Sequence, residues 1–248
     1  MLKALIFDVD GTLAETEEAH RAAFNDSFAA AGLDWHWDQA LYAALLKVTG
    51  GKERMRFFID AHGAKPELDD AAIARLHREK TARYTALVAE GGLALRAGVE
   101  RLIREAKAAG IKVAIATTTS RPNIDALLEA ALADEGPSLF DVIAAGDEVA
   151  AKKPAPDVYE LALARLGLPP EATLALEDSE NGLRSAMAAG IPTLITVSAY
   201  TKAEAFPGAL VVLDGLGEPG SPARVLKGAA LDGDLVDLGQ IRSWLAAS

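Results

Sequence analysis

The sequence predicts an α/β protein: a doubly wound parallel sheet with an all-helical block inserted after its first strand. Three observations carry this expectation. Short apolar runs at residues 5–7, 113–116, 142–145, 174–176 and 193–197 have the length and character of strands buried on both faces. Helical patterns separate most of them, the alternation expected of a parallel layer with ligand sites beyond the carboxyl ends of its strands. No strand-like run occurs between Glu15 and about Gly92.

The elements follow in order. After the first strand, helical stripes succeed one another: Ala23, Phe24, Phe28 and Ala31, then Leu41, Leu45 and Val48, then Met55, Phe58 and Ile59, then Ile73, Leu76, Tyr84 and Leu87. Such a block reads as a lid over the α/β site, hinged at residues 14–16 and 91–98. The expected division is a core of residues 1–14 and 98–248 and a helical cap of residues 15–97. Beyond Gly98, Val99, Leu102, Ile103 and Ala106 recur at helical spacing, and Gly110 closes that helix before the second strand. Ile124, Leu127, Leu128 and Ala131 repeat the pattern. After Thr201 there is one more strand candidate at residues 210–213, then a Gly/Pro-rich stretch and a closing apolar segment without evident chemistry.

Composition narrows the function. A length of 248 residues suits one core domain with a smaller insertion. The net charge of -11 argues against nucleic acid or an anionic membrane as partner, because both need a positive face. With no cysteine and only four histidines, a metal would be held by oxygen, which favours a hard cation. Residues 1–10 carry no charged leader, cleavage signature or spanning-length segment, so a cytoplasmic protein, expected to be monomeric, is the reading.

Four segments carry chemistry. Asp8-Val9-Asp10-Gly11-Thr12 places two carboxylates where the chain leaves the first strand; a divalent cation would let the first stay an ionised nucleophile while Asp10 serves as acid and base. An ordinary Asp-Gly turn is the alternative. Thr117, Thr118, Thr119 and Ser120 put hydroxyls and backbone N–H groups at a strand end before a helix, which suits a phosphate or simply an N-cap. Lys153, held by Pro154, would neutralise a transferring phosphoryl group, or be a solvated lysine. Glu177 and Asp178 follow another strand and would face Asp8 in a parallel sheet, an oxygen cage of the type Mg²⁺ accepts, or an exposed acidic turn. All four fall on one predicted sheet edge, which makes coincidence a poor account.

These four segments resemble the motifs of the haloacid dehalogenase superfamily, over roughly residues 3–200. The resemblance implies a Rossmann-like core, Asp8 as nucleophile, Asp10 as general acid and base, Thr117 as a phosphate donor and Lys153 as the charge-balancing cation. It also implies Mg²⁺ held by Asp8, the Asp10 carbonyl, and Asp178 with or without Glu177. The helical insertion, Lys-Pro-Ala-Pro-Asp at residues 153–157 and Glu-Asp-Ser at 177–179 are similar to the β-phosphoglucomutase-like branch. Thr49, Gly50, Gly51, Lys52, Glu53 and Arg54, with residues 14–18, resemble CbbY-type sugar-bisphosphate phosphatases, which remove xylulose 1,5-bisphosphate, an inhibitor of the carbon-fixing enzyme Rubisco.

A bisphosphate needs a second cationic site, and the insertion is locally basic at Lys52, Arg54, Arg56, Arg75, His77, Arg78, Lys80 and Arg83. A solvated helix face is the alternative. Lys52 and Arg54 are the favoured pair, with Gly50, Gly51 and Thr118 as further substrate contacts. Glu17 and His20, one turn apart, can both point toward the cleft. Trp35 and Trp37 read as packing residues. A sugar phosphomutase shares every core residue with this reading. A phospho-aspartate signalling module is a rival of another class, disfavoured because a helical lid would have no role in it.

Overall fold

The computed structural model describes residues 1–91 and 93–247, leaving aside the side chain of Asp134. Gly92, part of the expected second hinge, lies outside the described residues. Seven strands form one sheet in the order β3-β2-β1-β4-β5-β6-β7. They are β1 (Ala4–Phe7), β2 (Lys112–Ala116), β3 (Val142–Ala144), β4 (Thr173–Glu177), β5 (Thr193–Thr196), β6 (Val211–Leu213) and β7 (Val225–Gly228). The first six pair in parallel and β7 runs antiparallel to β6. The chain steps outward from β1 to β3, then returns to place β4 on the other side of β1, which opens a crevice at the carboxyl ends of β1 and β4.

Side-chain alternation sorts the two faces by size. Leu5, Phe7, Val113, Ile115, Leu174 and Leu176 pack on one face against α5 (Val99–Ala108), α6 (Arg121–Leu132) and α9 (Leu238–Ala247). Ala4, Ile6, Ala114, Ala116, Ala144 and Ala175 form the other, against α7 (Asp157–Leu166) and, through Ala186, α8 (Glu180–Ala188). The small residues let α7 and α8 approach the sheet closely.

Four helices separate β1 from α5: α1 (Glu17–Ala30), α2 (Gln39–Leu45), α3 (Gly51–His62) and α4 (Asp70–Ala89). They bury a second apolar cluster built on Phe24, Phe28, Trp35, Trp37, Tyr42, Leu45, Met55, Phe58 and Leu76. Trp37 is its centre, with ring centroids 4.7 Å from Phe24, 4.9 Å from Phe28 and 5.5 Å from Phe58. Both tryptophans therefore pack, as the sequence suggests. Ala31 corrects the first stripe: α1 ends one residue earlier, and Ala31 is its exposed C-cap. Val48 likewise lies beyond the end of α2. The tail, which the sequence left with one strand, supplies β7 and α9 as well, and Ile241 and Trp244 of α9 join the main core.

No helix of the described residues is long and apolar enough to cross a membrane. Removing the buried indole should unseat the insertion: Trp37→Ala is expected to cost about 3–5 kcal/mol in urea unfolding, and a loss under about 1 kcal/mol would show that the aromatic cluster is not what holds these helices together.

Candidate active site

The sheet register builds the floor of the site. Phe7 is level with Ile115 on one side and Leu176 on the other, so the next residues, Asp8, Ala116 and Glu177, share one level at the carboxyl edge. Lys153, just before α7, closes over all three. Its ammonium donates to Asp8 Oδ1 at 2.6 Å, to Glu177 Oε1 at 2.6 Å and to the Ala116 carbonyl at 2.9 Å. The Tyr159 hydroxyl, one turn into α7, donates to the same Glu177 oxygen at 2.6 Å.

Two glycines make room for the acids. A Cβ on Gly182 would lie 2.0 Å from Glu177 Oε2, so α8 rests its backbone against that carboxylate. At Gly11, which has φ +82°, a Cβ would lie 2.2 Å from Asp178 Oδ2, so the turn after Asp10 is wedged against Asp178. Carboxylate oxygens of Asp8, Glu177 and Asp178 all lie within 4.8 Å of one another, and all three residues are buried. Three carboxylates against one ammonium leave two negative charges, the complement of a divalent cation of the oxygen-seeking kind. Burial pushes the Asp8 carboxyl up to about 7 despite Lys153, with Glu177 and Asp10 adding to the rise. Burial, then Asp8 and Glu177, push Asp178 well above the carboxylate range. Both shifts express the cost of burying and crowding these charges beyond what Lys153 alone offsets.

Asp10 turns the other way. Its Oδ1 accepts hydrogen bonds from Thr16 Oγ1 at 2.5 Å and His20 Nε2 at 2.9 Å, both from the start of the insertion. Burial pushes His20 down to about 4, with the Lys80 charge adding to this, so at neutral pH it is a neutral imidazole. The tautomer follows: Nε2 carries the proton to Asp10 while Nδ1 accepts from Lys80 Nζ at 2.6 Å. The ring stacks on Tyr84 at 3.9 Å, and Lys80 is itself pushed down to about 7 by burial. Burial works to raise Asp10, but its contacts with His20 and Thr16 and the nearby Lys80 reverse this and hold it at about 2. Glu17 heads a second chain, in which Arg54 Nη1 donates to Tyr42 Oη at 3.1 Å and Tyr42 Oη donates to Glu17 Oε2 at 3.0 Å.

Floor and helices enclose a cavity of about 730 Å³. Asp8, Asp10, Lys153 and Asp178 face it from the core, with Thr118; Glu17, His20, Gly50, Gly51, Lys52 and Arg54 face it from the insertion. The structure thus brings together nearly every residue singled out from the sequence. Two lie behind the wall: Glu177 is fully buried beneath Lys153, and Thr117, 1 % exposed, sits below Thr118 with its Oγ1 accepting from Thr119 N–H at 3.3 Å. Arg56 points elsewhere, to the Leu68 carbonyl and Asp70. The sequence reading did not single out Tyr42 or Asn123, named Ser120 only within the run of hydroxyls, and left His77 and Lys80 among undistinguished basic residues. Ser120 and Asn123 line the cavity, and Ser120 Oγ and Asn123 Oδ1 have no hydrogen-bond partner among the described residues. Helix α6 begins at this point, a signal that was visible in the run of hydroxyls.

A buried carboxylate pair bridged by lysine, beside an acid-lined crevice of a parallel sheet, is the arrangement of a phosphoryl-transfer enzyme. Residues 2–190 match the model of the haloacid dehalogenase-like hydrolases, and the chain belongs to that family. It is 53% identical over 223 residues to Protein CbbY of Cereibacter sphaeroides, covering 90% of this chain and 96% of the relative. The crystal structure of CbbY from Rhodobacter sphaeroides in complex with phosphate superposes with a TM-score of 0.84 at 54% identity, over 87% of this chain and 95% of the other. A mutant of the same protein, in complex with xylulose-(1,5)bisphosphate, gives 0.83 at 53% identity, with coverage of 87% and 95%.

The acid cluster would make the binding of a cation pH-dependent in a defined direction. Raised folded pKa values mean that protonated Asp8 and Asp178 favour the metal-free fold at low pH, and the contribution of Asp8 is lost as pH rises through about 7. A cation needs the ionised forms, so its binding releases protons and tightens as pH rises. Mg²⁺ should therefore raise the melting temperature more at about pH 8 than at about pH 6; an equal or inverted effect would sink this account of the cluster.

Proposed function

We propose that the chain is a Mg²⁺-dependent sugar-bisphosphate phosphatase that works through an aspartyl-phosphate on Asp8, with xylulose 1,5-bisphosphate as substrate. One observation carries the reading: a single cavity has an acid cluster with its lysine at the floor and Lys52, Arg54 and Lys80 on the helical wall. A substrate with a phosphate at each end meets complementary charge at both. The unpartnered Ser120 hydroxyl at the start of α6 supports the same reading, since a helix N-terminus favours an anion. The bound xylulose bisphosphate in the similar CbbY structure supports the choice of sugar.

Asp8 attacks phosphorus and the bond to the sugar oxygen breaks, while Lys153 offsets charge on the phosphoryl oxygens. Asp8, the Asp10 carbonyl and Asp178, with Glu177 behind them, would hold Mg²⁺, which would supply further neutralisation of that charge. Asp10 must arrive protonated. It is ionised in the free protein, and the incoming phosphate dianion raises its proton affinity by like-charge repulsion. Asp10 gives its proton to the departing sugar oxygen, then takes one from the water that hydrolyses the aspartyl-phosphate and releases inorganic phosphate. Glu177, committed through Oε1 to Lys153 and Tyr159, keeps the lysine aimed at Asp8. Helices α1–α4 act as the cap that excludes water.

Purified protein with Mg²⁺ is expected to release phosphate from xylulose 1,5-bisphosphate faster than from ribulose 1,5-bisphosphate, without isomerising β-glucose 1-phosphate. Asp8→Asn should abolish release while leaving the fold intact. Isomerisation of the glucose phosphate would make the protein a mutase instead, and activity retained by Asp8→Asn would remove the nucleophile assignment. Lys52→Ala should raise KM for the bisphosphate about tenfold or more while changing turnover of p-nitrophenyl phosphate little; equal losses on both would place Lys52 outside the distal anion site.

A further inference from the structure

Arg96 lies in the second chain crossing between the helical insertion and the sheet, and it belongs neither to the cavity wall nor to the acid cluster. Its guanidinium nevertheless gathers the edges of the site. Nη1 donates to the Gly11 carbonyl, to the Thr196 carbonyl at 3.0 Å and to Thr196 Oγ1 at 3.2 Å. Nη2 donates to the carbonyls of Val197 at 2.6 Å and Asp214 at 3.4 Å. Nε faces Glu15 Oε1 of the first crossing at 3.4 Å, and the Arg96 backbone N–H donates to the Leu13 carbonyl at 2.8 Å. The ends of β5 and β6, the turn after Asp10 and both crossings thus converge on one mostly buried charge. Only a planar fork of donors serves so many acceptors at once.

Gly11 is held from two sides. Its α-carbon is wedged against Asp178, where a Cβ would fall 2.2 Å from Oδ2, and its carbonyl is drawn the other way by Arg96. Gly11, the residue that follows Asp10, is therefore clamped between a residue of the acid cluster and a residue of the hinge. We propose that Arg96 is a positioning residue for Asp10, holding the Gly11 peptide in step with both crossings so that the Asp10 carboxyl stays aligned with the leaving oxygen. The proposal rests on the reading of Asp10 as acid and base given above. The proton concerned passes from Asp10 to the sugar oxygen as the phosphorus–oxygen bond breaks. p-Nitrophenolate departs without one.

That difference supplies the test. Arg96→Lys, Glu15→Gln and Asp10→Asn are compared with Mg²⁺ present, on xylulose 1,5-bisphosphate in steady state and on p-nitrophenyl phosphate by rapid mixing, with melting curves for each. Asp10→Asn should lose about 10²-fold or more on the sugar while keeping the first-turnover release of nitrophenolate. Arg96→Lys, which keeps the charge but not the fork, should show the same split, with about a tenfold loss of kcat on the sugar and little change in KM. Glu15→Gln, at a half-exposed ion pair, should show it at about threefold. If Asp10→Asn loses both substrates alike, the reading of Asp10 fails. If Asp10→Asn shows the split but Arg96→Lys and Glu15→Gln lose both substrates equally, or neither, the positioning role is overturned.

Discussion

One ammonium, that of Lys153, stands at the point on which the catalytic edge depends. It bonds Asp8, Ala116 and Glu177 where three adjacent parallel strands end, and it is nearly inaccessible to solvent. Acids brought this close would repel or protonate without a fixed cation among them, and removing one partner of such a buried pair is far costlier than never having made it. The alanines on one face of the sheet serve this contact. With Ala4, Ala114, Ala116, Ala144 and Ala175 beneath it, α7 lies near enough for Lys153 and Tyr159 to reach the strand ends. Gly182 gives α8 the same closeness to Glu177. Side-chain size in the core is thus coupled to charge at the edge.

The two aspartates of the first motif, two residues apart, answer to different halves of the molecule. Asp8 is held by the core through Lys153, whereas the Asp10 carboxylate is held by Thr16 and His20 of the insertion. Their environments push their proton affinities apart, Asp8 up to about 7 and Asp10 down to about 2. The turn between them makes this possible, because the Val9 carbonyl accepts from the N–H groups of Thr12, Leu13 and Ala14 and swings the chain from the sheet toward α1.

Much of this was legible in the sequence, for identifiable reasons. The six parallel strands announce themselves because burial on both faces demands short, uniformly apolar runs, and the four motifs stand out because each follows such a run or opens a helix. β7 did not: with Leu226, Lys227 and Gly228 exposed, this edge strand has no apolar pattern to read. In the insertion, stripes gave the helices but not their rotation. His77 and Lys80 face the cavity while Arg56 turns to Asp70, a distinction set by how α3 and α4 pack, not by composition. Tyr42 was missed because an aromatic within a stripe looks like core, and it is core on one side and a hydroxyl relay on the other. Arg96 was invisible for a related reason: its partners are carbonyls from three distant segments, and carbonyls leave no mark in a sequence.

The place of β1 in the sheet also bears on the order in which the molecule assembles. The strand is made first, yet it pairs only with β2 and β4, so it waits for β2 and is flanked on both sides only once the chain has reached Glu177. The helices between have an aromatic cluster of their own, whose contacts close shorter loops than the pairing of β1 with β2 or β4 and so form earlier. The acids contributed by β1 and β4 consequently meet only after Lys153 is already part of the chain, so their counter-charge is present when they are brought together.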